Sequence, residues 1–279
     1  IVVTFDGSKL TAFLDGIQDG FAYDNTAGLP TSSAQFGISG RPSSEYLSGS
    51  LDDLRIYNRA LSSNEVLQLY NWAPDPVAYY SFDEGTGTGA NAVKDHSGNY
   101  YHGSMQASMT QSDWVGGKYG QALDLDGVDD FITMGDILDT TFAGADKKFT
   151  LQAWVKPNNN NLTNNFIMTK LSDGGCGENQ RQWGFRIYNN VPDFYWFGLL
   201  DGNSYRGVSG STPITNTNKW YHITMVYDGS QDTNNGLDRV QLYVDGVKES
   251  TTLIMQYGSI GDIQNSTAPL GIGKQLTPA

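Results

Sequence analysis

Cysteine is almost missing from this chain of 279 residues. The single Cys176 cannot close an intrachain disulfide, so no disulfide framework holds the fold. Histidine is scarce too: His96, His102 and His222 lie too far in sequence from one another and from Cys176 to read as a zinc cluster. Positive charge is short, with 17 Lys and Arg against 30 Asp and Glu and a formal net charge of −13. Such a chain repels a phosphate backbone, which argues against nucleic acid as a partner. Long apolar runs are absent as well. The longest, around 149–155 and 194–200, have strand length and fall short of the ~18–20 residues that span a bilayer. No basic segment followed by an apolar one opens the chain, so any signal peptide is expected to have been removed or to lie outside it.

Catalytic signatures are also lacking. There is no Gly-x-Ser-x-Gly elbow, phosphate loop or His-Glu-x-x-His, and no Glu-x-Asp-x-x-Glu run that would pair two carboxyls for glycoside hydrolysis. The expectation is a protein that is not an enzyme. Asp124, Asp126, Asp129 and Asp130 are dense but surround Gly127, which reads as a turn, and Asp83-Glu84-Gly85 reads as a strand-end loop.

What is present is turn and strand chemistry. Glycine is abundant at 33 residues, aromatics reach 12% and charged residues only 17%, a balance that suits many short strands and argues against disorder. Phe149 to Val155 alternates with period two, as do His222 to Tyr227 and Val240 to Val244, and the last two runs each end in Asp-Gly, a hairpin signal. Ser62-Ser63-Asn64-Glu65 fits a capping box before Val66 to Tyr70, so one short helix is expected near 62–70. With no βαβ alternation, these elements predict an all-β, two-sheet antiparallel sandwich.

The two ends of the chain resemble each other. Residues 2–16 read Val-Val-Thr-Phe-Asp-Gly-Ser, then Leu-Thr-Ala-Phe-Leu-Asp-Gly; residues 223–246 read Ile-Thr-Met-Val-Tyr-Asp-Gly-Ser, then Arg-Val-Gln-Leu-Tyr-Val-Asp-Gly. The first Asp-Gly steps are offset by 228 − 6 = 222 and the second by 245 − 15 = 230, leaving an insertion around 231–238. Phe36-Gly37-Ile38-Ser39 answers Leu270-Gly271-Ile272-Gly273. Asn71 to Pro76, with two prolines, interrupts regular structure. The expected domains are therefore residues 1–72, the C-terminal part of one repeat; 73–76, a linker; and 77–279, a second repeat lacking its closing strand.

Leu51-Asp-Asp-Leu-Arg-Ile-Tyr-Asn-Arg-Ala-Leu-Ser62, with Asn64-Glu65, resembles the closing motif of LamG-like jelly-roll domains of the concanavalin A-like superfamily. Val77 to Gly85, Asp95-His-Ser-Gly-Asn99, Gly117 to Phe131, Ala153 to Pro157 and Trp220-Tyr-His222 resemble that family's earlier blocks, in order. The resemblance covers nearly the whole chain. It implies a concanavalin A-like jelly roll, mostly found in secreted or surface proteins and often in tandem, with binding or spacer roles.

It also implies calcium as cofactor. In such domains a loop equivalent to 95–103 commonly joins an acid from the closing strand, which gives Asp95, Asn99, Gly103 and Asp52 as ligands. In a strand, Asp52 shares a face with Leu54 and Ile56 and would point inward. An Asx-turn at Asp95, with Asp52 paired to a buried donor, accounts for the same residues without a metal.

Because Asp52 and Asp95 fall in different repeats, three arrangements are open. The chain can be a piece of a longer array, or residues 1–72 can complete the second repeat in cis, or they can do so in a neighbouring molecule by strand donation and build filaments. For a glycan ligand the candidates are Trp196, Tyr205, Asp201 and Asn203, with Trp183, Tyr195 and Arg206 nearby in sequence, since sugars stack on aromatic faces while carboxylates and amides bind hydroxyls. Cys176 lies in a Gly-rich turn with no histidine beside it and reads as a bystander thiol. Asn161-Leu-Thr163 and Asn265-Ser-Thr267 match the glycosylation sequon. The expected function is a non-catalytic extracellular module in adhesion or in a surface fibre or coat, contacting glycans, proteins or identical subunits. The alternative is a carbohydrate-binding module of a larger polysaccharide-degrading enzyme.

Overall fold

The computed structural model describes residues 1–24, 56–70, 76–171, 181–198, 204–231, 234–259 and 261–274. The chain divides into two compact units, residues 1–76 and 77–279.

In the first unit, β1 (Val2–Phe5), β2 (Lys9–Leu14) and β3 (Ile17–Asp24) form a three-stranded antiparallel meander. Asp15 and Gly16 both take positive φ, 51° and 78°, as the tight turn joining right-twisted strands requires. Helix α1 (Ser63–Tyr70) starts on the expected capping box. The Ser62 N–H donates to Glu65 Oε2 (2.9 Å) and the Glu65 N–H donates to Ser62 Oγ (3.3 Å). Phe13, Leu61 and Val66 are buried together, with Val2 and Leu69 packed against them. Ile56 is 73% exposed, which corrects the expectation of an inward strand face there; Asp52 and Leu54 lie outside the described residues.

The second unit runs β4 (Ser104–Gln106), β5 (Trp114–Gly116), β6 (Gln121–Leu123), β7 (Phe131–Gly135), the single-turn α2 (Asp139–Phe142), β8 (Lys148–Val155) and β9 (Asn164–Leu171). It continues through β10 (Arg181–Tyr188), β11 (Val191–Phe197), β12 (Tyr205–Ser209), β13 (Tyr221–Asp228), β14 (Val240–Val244), β15 (Val247–Lys248), β16 (Thr252–Tyr257) and β17 (Leu270–Ile272). An eight-stranded sheet, β16-β12-β11-β10-β9-β17-β7-β4, faces a four-stranded one, β15-β14-β13-β8, and β5-β6 form a separate hairpin.

Period-two patterning makes the interface. Tyr221, Ile223, Met225 and Tyr227 of β13 and Val240, Leu242 and Val244 of β14 are buried, and they join one core with Trp183, Phe185, Ile187, Phe194 and Trp196 of the larger sheet. Rings meet across the layers: Phe149 lies 5.1 Å from Tyr227 and 6.2 Å from Phe194, and Trp196 lies 5.7 Å from Tyr227. This is the two-sheet sandwich that the alternation called for.

The internal resemblance extends to register. Phe5 pairs with Leu10, and Tyr227 with Val240; Val2 pairs with Phe13, and Thr224 with Tyr243, so the sequence offsets map each pair of one hairpin onto a pair of the other. Turn chemistry follows suit. Asp6 Oδ1 accepts the Ser8 N–H (2.9 Å) and hydroxyl (3.0 Å), and Asp228 Oδ1 accepts the same two donors of Ser230 (3.1 and 2.6 Å). Asp245 and Gly246 repeat the positive φ of Asp15 and Gly16, at 52° and 80°.

Candidate ligand-binding face

Strands β10 and β11 are buried on both faces, so their outward side chains form a second, smaller apolar layer. Tyr195, Phe197 and Leu171 are its buried members, and Phe166, Tyr205 and Met255 pack against them. Glycine makes room for it. A Cβ at Gly184 would lie 2.5 Å from the Tyr195 ring, and one at Gly207 would lie 2.6 Å from the end of Met255, so these neighbours lie down over bare backbone.

Along this layer Phe197, Tyr205 and Tyr257 stand directly opposite one another on β11, β12 and the edge strand β16. Their rings are 5.9 and 5.8 Å apart, and Tyr205 stacks on Tyr257 at 21°. Exposure rises along the ladder from 8% at Phe197 to 55% at Tyr257. Beside it, Arg186 lies between the Tyr188 and Tyr195 rings, 4.3 Å from each centroid. Its Nε donates to Asp193 Oδ1 (2.5 Å) and its Nη1 to Asn164 Oδ1 (2.8 Å), while Nη2 is buried with no hydrogen-bond partner among the described residues. The fully buried Asp193 also accepts the Ser209 hydroxyl (2.8 Å). Burial pushes its carboxyl above the usual range against the pull of Arg186.

The residues expected to bind glycan separate here. Tyr205 lies in the ladder. Trp196 is a correction: it is fully buried in the core, because alternation turns Phe194 and Trp196 inward and Asp193, Tyr195 and Phe197 outward. Trp183 is likewise fully buried in that core. Arg206 is spent on the carbonyls of Tyr205 (2.8 Å), Asn235 (3.1 Å), Tyr257 (2.9 Å) and Gly258 (3.0 Å). Asp201, Asn203 and Cys176 lie outside the described residues. Sequence reasoning missed Tyr257, Phe197, Arg186 and Asp193; the available signal was the parity of Phe194 to Phe197, which allows only one of the two aromatic pairs to face outward.

In the loop expected to hold calcium, Asp95 is buried and its two oxygens already accept four donors. Oδ1 takes the N–H groups of Tyr79 (2.9 Å) and Ser97 (2.9 Å), and Oδ2 takes the Ser97 hydroxyl (2.8 Å) and the Tyr101 N–H (3.0 Å). Asn99 Nδ2 donates to the Val77 carbonyl (3.1 Å), and the Gly103 carbonyl accepts the Val93 N–H (3.0 Å). A cation needs oxygens converging on one point with lone pairs to spare. Asp95, as hydrogen-bonded here, does not fit that need, and Asp52 lies outside the described residues.

Asp126, Asp129 and Asp130 come within 4.8 Å of one another. Asp126 Oδ1 accepts the N–H groups of Val128 (2.8 Å), Asp129 (3.2 Å) and Asp130 (3.4 Å), as the turn around Gly127 predicted. Of the sequons, Asn161 is exposed, whereas the Asn265 side chain is engaged by Asp139 (3.3 Å) and Gln182 (3.2 Å).

Several solved structures are similar to this chain. The binding domain of Paraclostridial Mosquitocidal Protein 1 matches at 15% identity and TM-score 0.48, over 67% of this chain and 42% of that one. The botulinum neurotoxin serotype D ligand-binding domain in complex with N-acetylneuraminic acid matches at 15% identity and TM-score 0.45, over 69% and 42%. The CBM40 of the Ruminococcus gnavus IT-sialidase, bound to α2,3-sialyllactose, matches at 15% identity and TM-score 0.33, over 48% and 67%. The chain thus spans less than half the length of the two toxin domains. No curated protein matches it. A laminin G family model matches residues 1–67 and 126–277, and the chain belongs to the concanavalin A-like lectin/glucanases superfamily.

Proposed function

We propose that this chain is a non-catalytic, glycan-binding module of an extracellular protein, with the outer face of the eight-stranded sheet as its binding face. The observation that carries the reading is the ladder of Phe197, Tyr205 and Tyr257, which ends at the sheet edge on the exposed Tyr257 ring stacked against the half-buried Tyr205. A sugar ring stacks its C–H face on such a pair, and the adjoining polar groups bind its hydroxyls. Asp193, a buried carboxyl on this face, is tied to Arg186 and Ser209, which favours a structural role for it over acid–base work. The test is a glycan array probed with the chain and with Tyr257→Ala. Loss of at least tenfold in signal from Tyr257→Ala, with an unchanged melting curve, supports the reading; equal binding by both proteins rejects it.

A second reading, an adhesive or structural array element, draws on the matched hairpin registers and on apolar exposure in the first unit. Ile1 is 96% and Val3 59% exposed, whereas Ile223 and Met225, at the corresponding positions, are fully buried. Light scattering over a range of concentrations tests it, since a chain that completes its neighbours grows in mass as it is concentrated.

A further inference from the structure

On the opposite layer, the outer face of the four-stranded sheet carries an aromatic corner that the reading above does not use. Trp154 of β8 and His222 of β13 are cross-strand partners with rings 5.0 Å apart, and Trp154 is 38% exposed. Tyr119, 69% exposed at the tip of the β5-β6 hairpin, meets Trp154 edge-on at 5.9 Å and 84°, so the indole is a floor and the phenol a wall.

The tip is held in place. The Gly117 N–H donates to the Gly120 carbonyl (3.0 Å), Gly120 takes φ +52°, and the Gln121 N–H donates to Asp83 Oδ1 (2.7 Å). A Cβ at Gly117 would run into the Gln121 backbone, so this close turn needs glycine.

Two ammonium groups complete the face. Lys118 Nζ lies 4.8 Å from the Trp154 ring centroid, and Lys156 Nζ lies 5.6 Å from that of Trp220. Lys156 follows directly on the end of β8, two residues after Trp154. In a chain of net charge −13, neither lysine meets a carboxylate among the described residues. The nearby Asp245 is already neutralised by Lys219 (2.8 Å). Amines held over indole rings rather than in ion pairs are available to an incoming anion.

We propose that this face is a second binding site, and that its ligand is an oligosaccharide bearing carboxylates. The sugar packs into the corner that the Trp154 floor and the Tyr119 wall form, and its carboxylates reach Lys118 and Lys156. One charge per sugar suits the site better than a dense polyanion, because the acidic chain as a whole repels the latter. The site is independent of the tyrosine ladder, and Tyr257→Ala separates the two.

The experiment is calorimetric titration of the chain with tri-galacturonate, tri-glucuronate and sialyllactose, each beside its carboxyl methyl ester. At least one acid is expected to bind, tenfold or more tighter than its ester, with binding kept in Tyr257→Ala and reduced at least tenfold in Lys118→Gln and in Trp154→Ala. Lys118 is exposed, so Lys118→Gln leaves folding intact and stays informative if Trp154→Ala melts early. Failure of every acid to outbind its ester overturns the proposal. So does binding that survives both Lys118→Gln and Trp154→Ala, or binding that is lost in Tyr257→Ala.

Discussion

A methyl group at Gly184 would occupy the space in which the Tyr195 ring lies, 2.5 Å away. Gly184→Ala is therefore expected to destabilise the second unit by about 1–3 kcal/mol, the usual cost of overpacking a filled site. Urea unfolding measures it, and the cost should shrink in a Tyr195→Ala background, where the ring is gone. Asp95 gives a residue-scale prediction of a different kind. Burial would raise its carboxyl, but the N–H groups of Tyr79, Ser97 and Tyr101 and the Ser97 hydroxyl outweigh burial and hold it below its ordinary value of 3.8. A depressed folded-state value means that this stabilisation is fully present above the unfolded value and is lost as pH falls through the folded one. Melting temperature should drop below about pH 4, and less so in Asp95→Asn. That variant turns an acceptor into a donor facing N–H groups and should cost about 2 kcal/mol at neutral pH. Adding a calcium chelator should leave both melting curves unchanged. A wild-type melt that falls sharply on chelation would show the Asp95 loop to be a metal site after all.

At the scale of elements, turns were the most legible part of the sequence, because their chemistry is local. Asp15-Gly16 and Asp245-Gly246 specify positive φ on their own, and the structure places both between paired strands. The Ser62–Glu65 capping box is equally local. A residue without a Cβ penalty is needed at each turn glycine, so Gly246→Ala, at φ +80°, should cost about 1–2 kcal/mol. Gly16→Ala, at φ +78°, should cost the first unit the same, and hydrogen exchange read separately over β2-β3 and β14-β15 would check both.

Strand faces were less legible. Alternation in β13 is plain because one side meets the core and the other meets solvent. In β11 both sides are buried, so apolar residues run on without a break, and nothing local says that Trp196 turns in while Tyr195 and Phe197 turn out. The Asp95 loop was hard for a related reason. Its composition suits a cation and a set of N–H donors alike, and only the fold decides which of them the carboxylate meets.

At the scale of the whole molecule, the two matched hairpins live in different surroundings. Met225 of β13 and Leu242 of β14 are cross-strand partners, fully buried under the larger sheet. Their counterparts Val3 and Ala12 are likewise paired, yet Val3 is 59% exposed, and Leu14, on the same face by alternation from Ala12, is 52% exposed. The first unit thus shows water a face with the pattern of a core. Covering Ile1, Val3 and Leu14 would yield roughly 5–9 kcal/mol gross, while association costs about 4–15 kcal/mol in lost freedom. Self-association through this face should therefore be weak and appear only as the chain is concentrated. Its salt dependence identifies the cause. Copies carrying a net charge of −13 repel each other, and that repulsion is screened over about 8 Å at physiological ionic strength. An apolar contact should accordingly strengthen from 10 mM to 500 mM salt, whereas assembly through charge pairs would weaken. Val3→Glu puts another negative charge in the middle of the face and should hold the scattering mass at one chain throughout. A variant that still gains mass with concentration and salt would place the contact elsewhere, at a sheet edge such as β8 or β16.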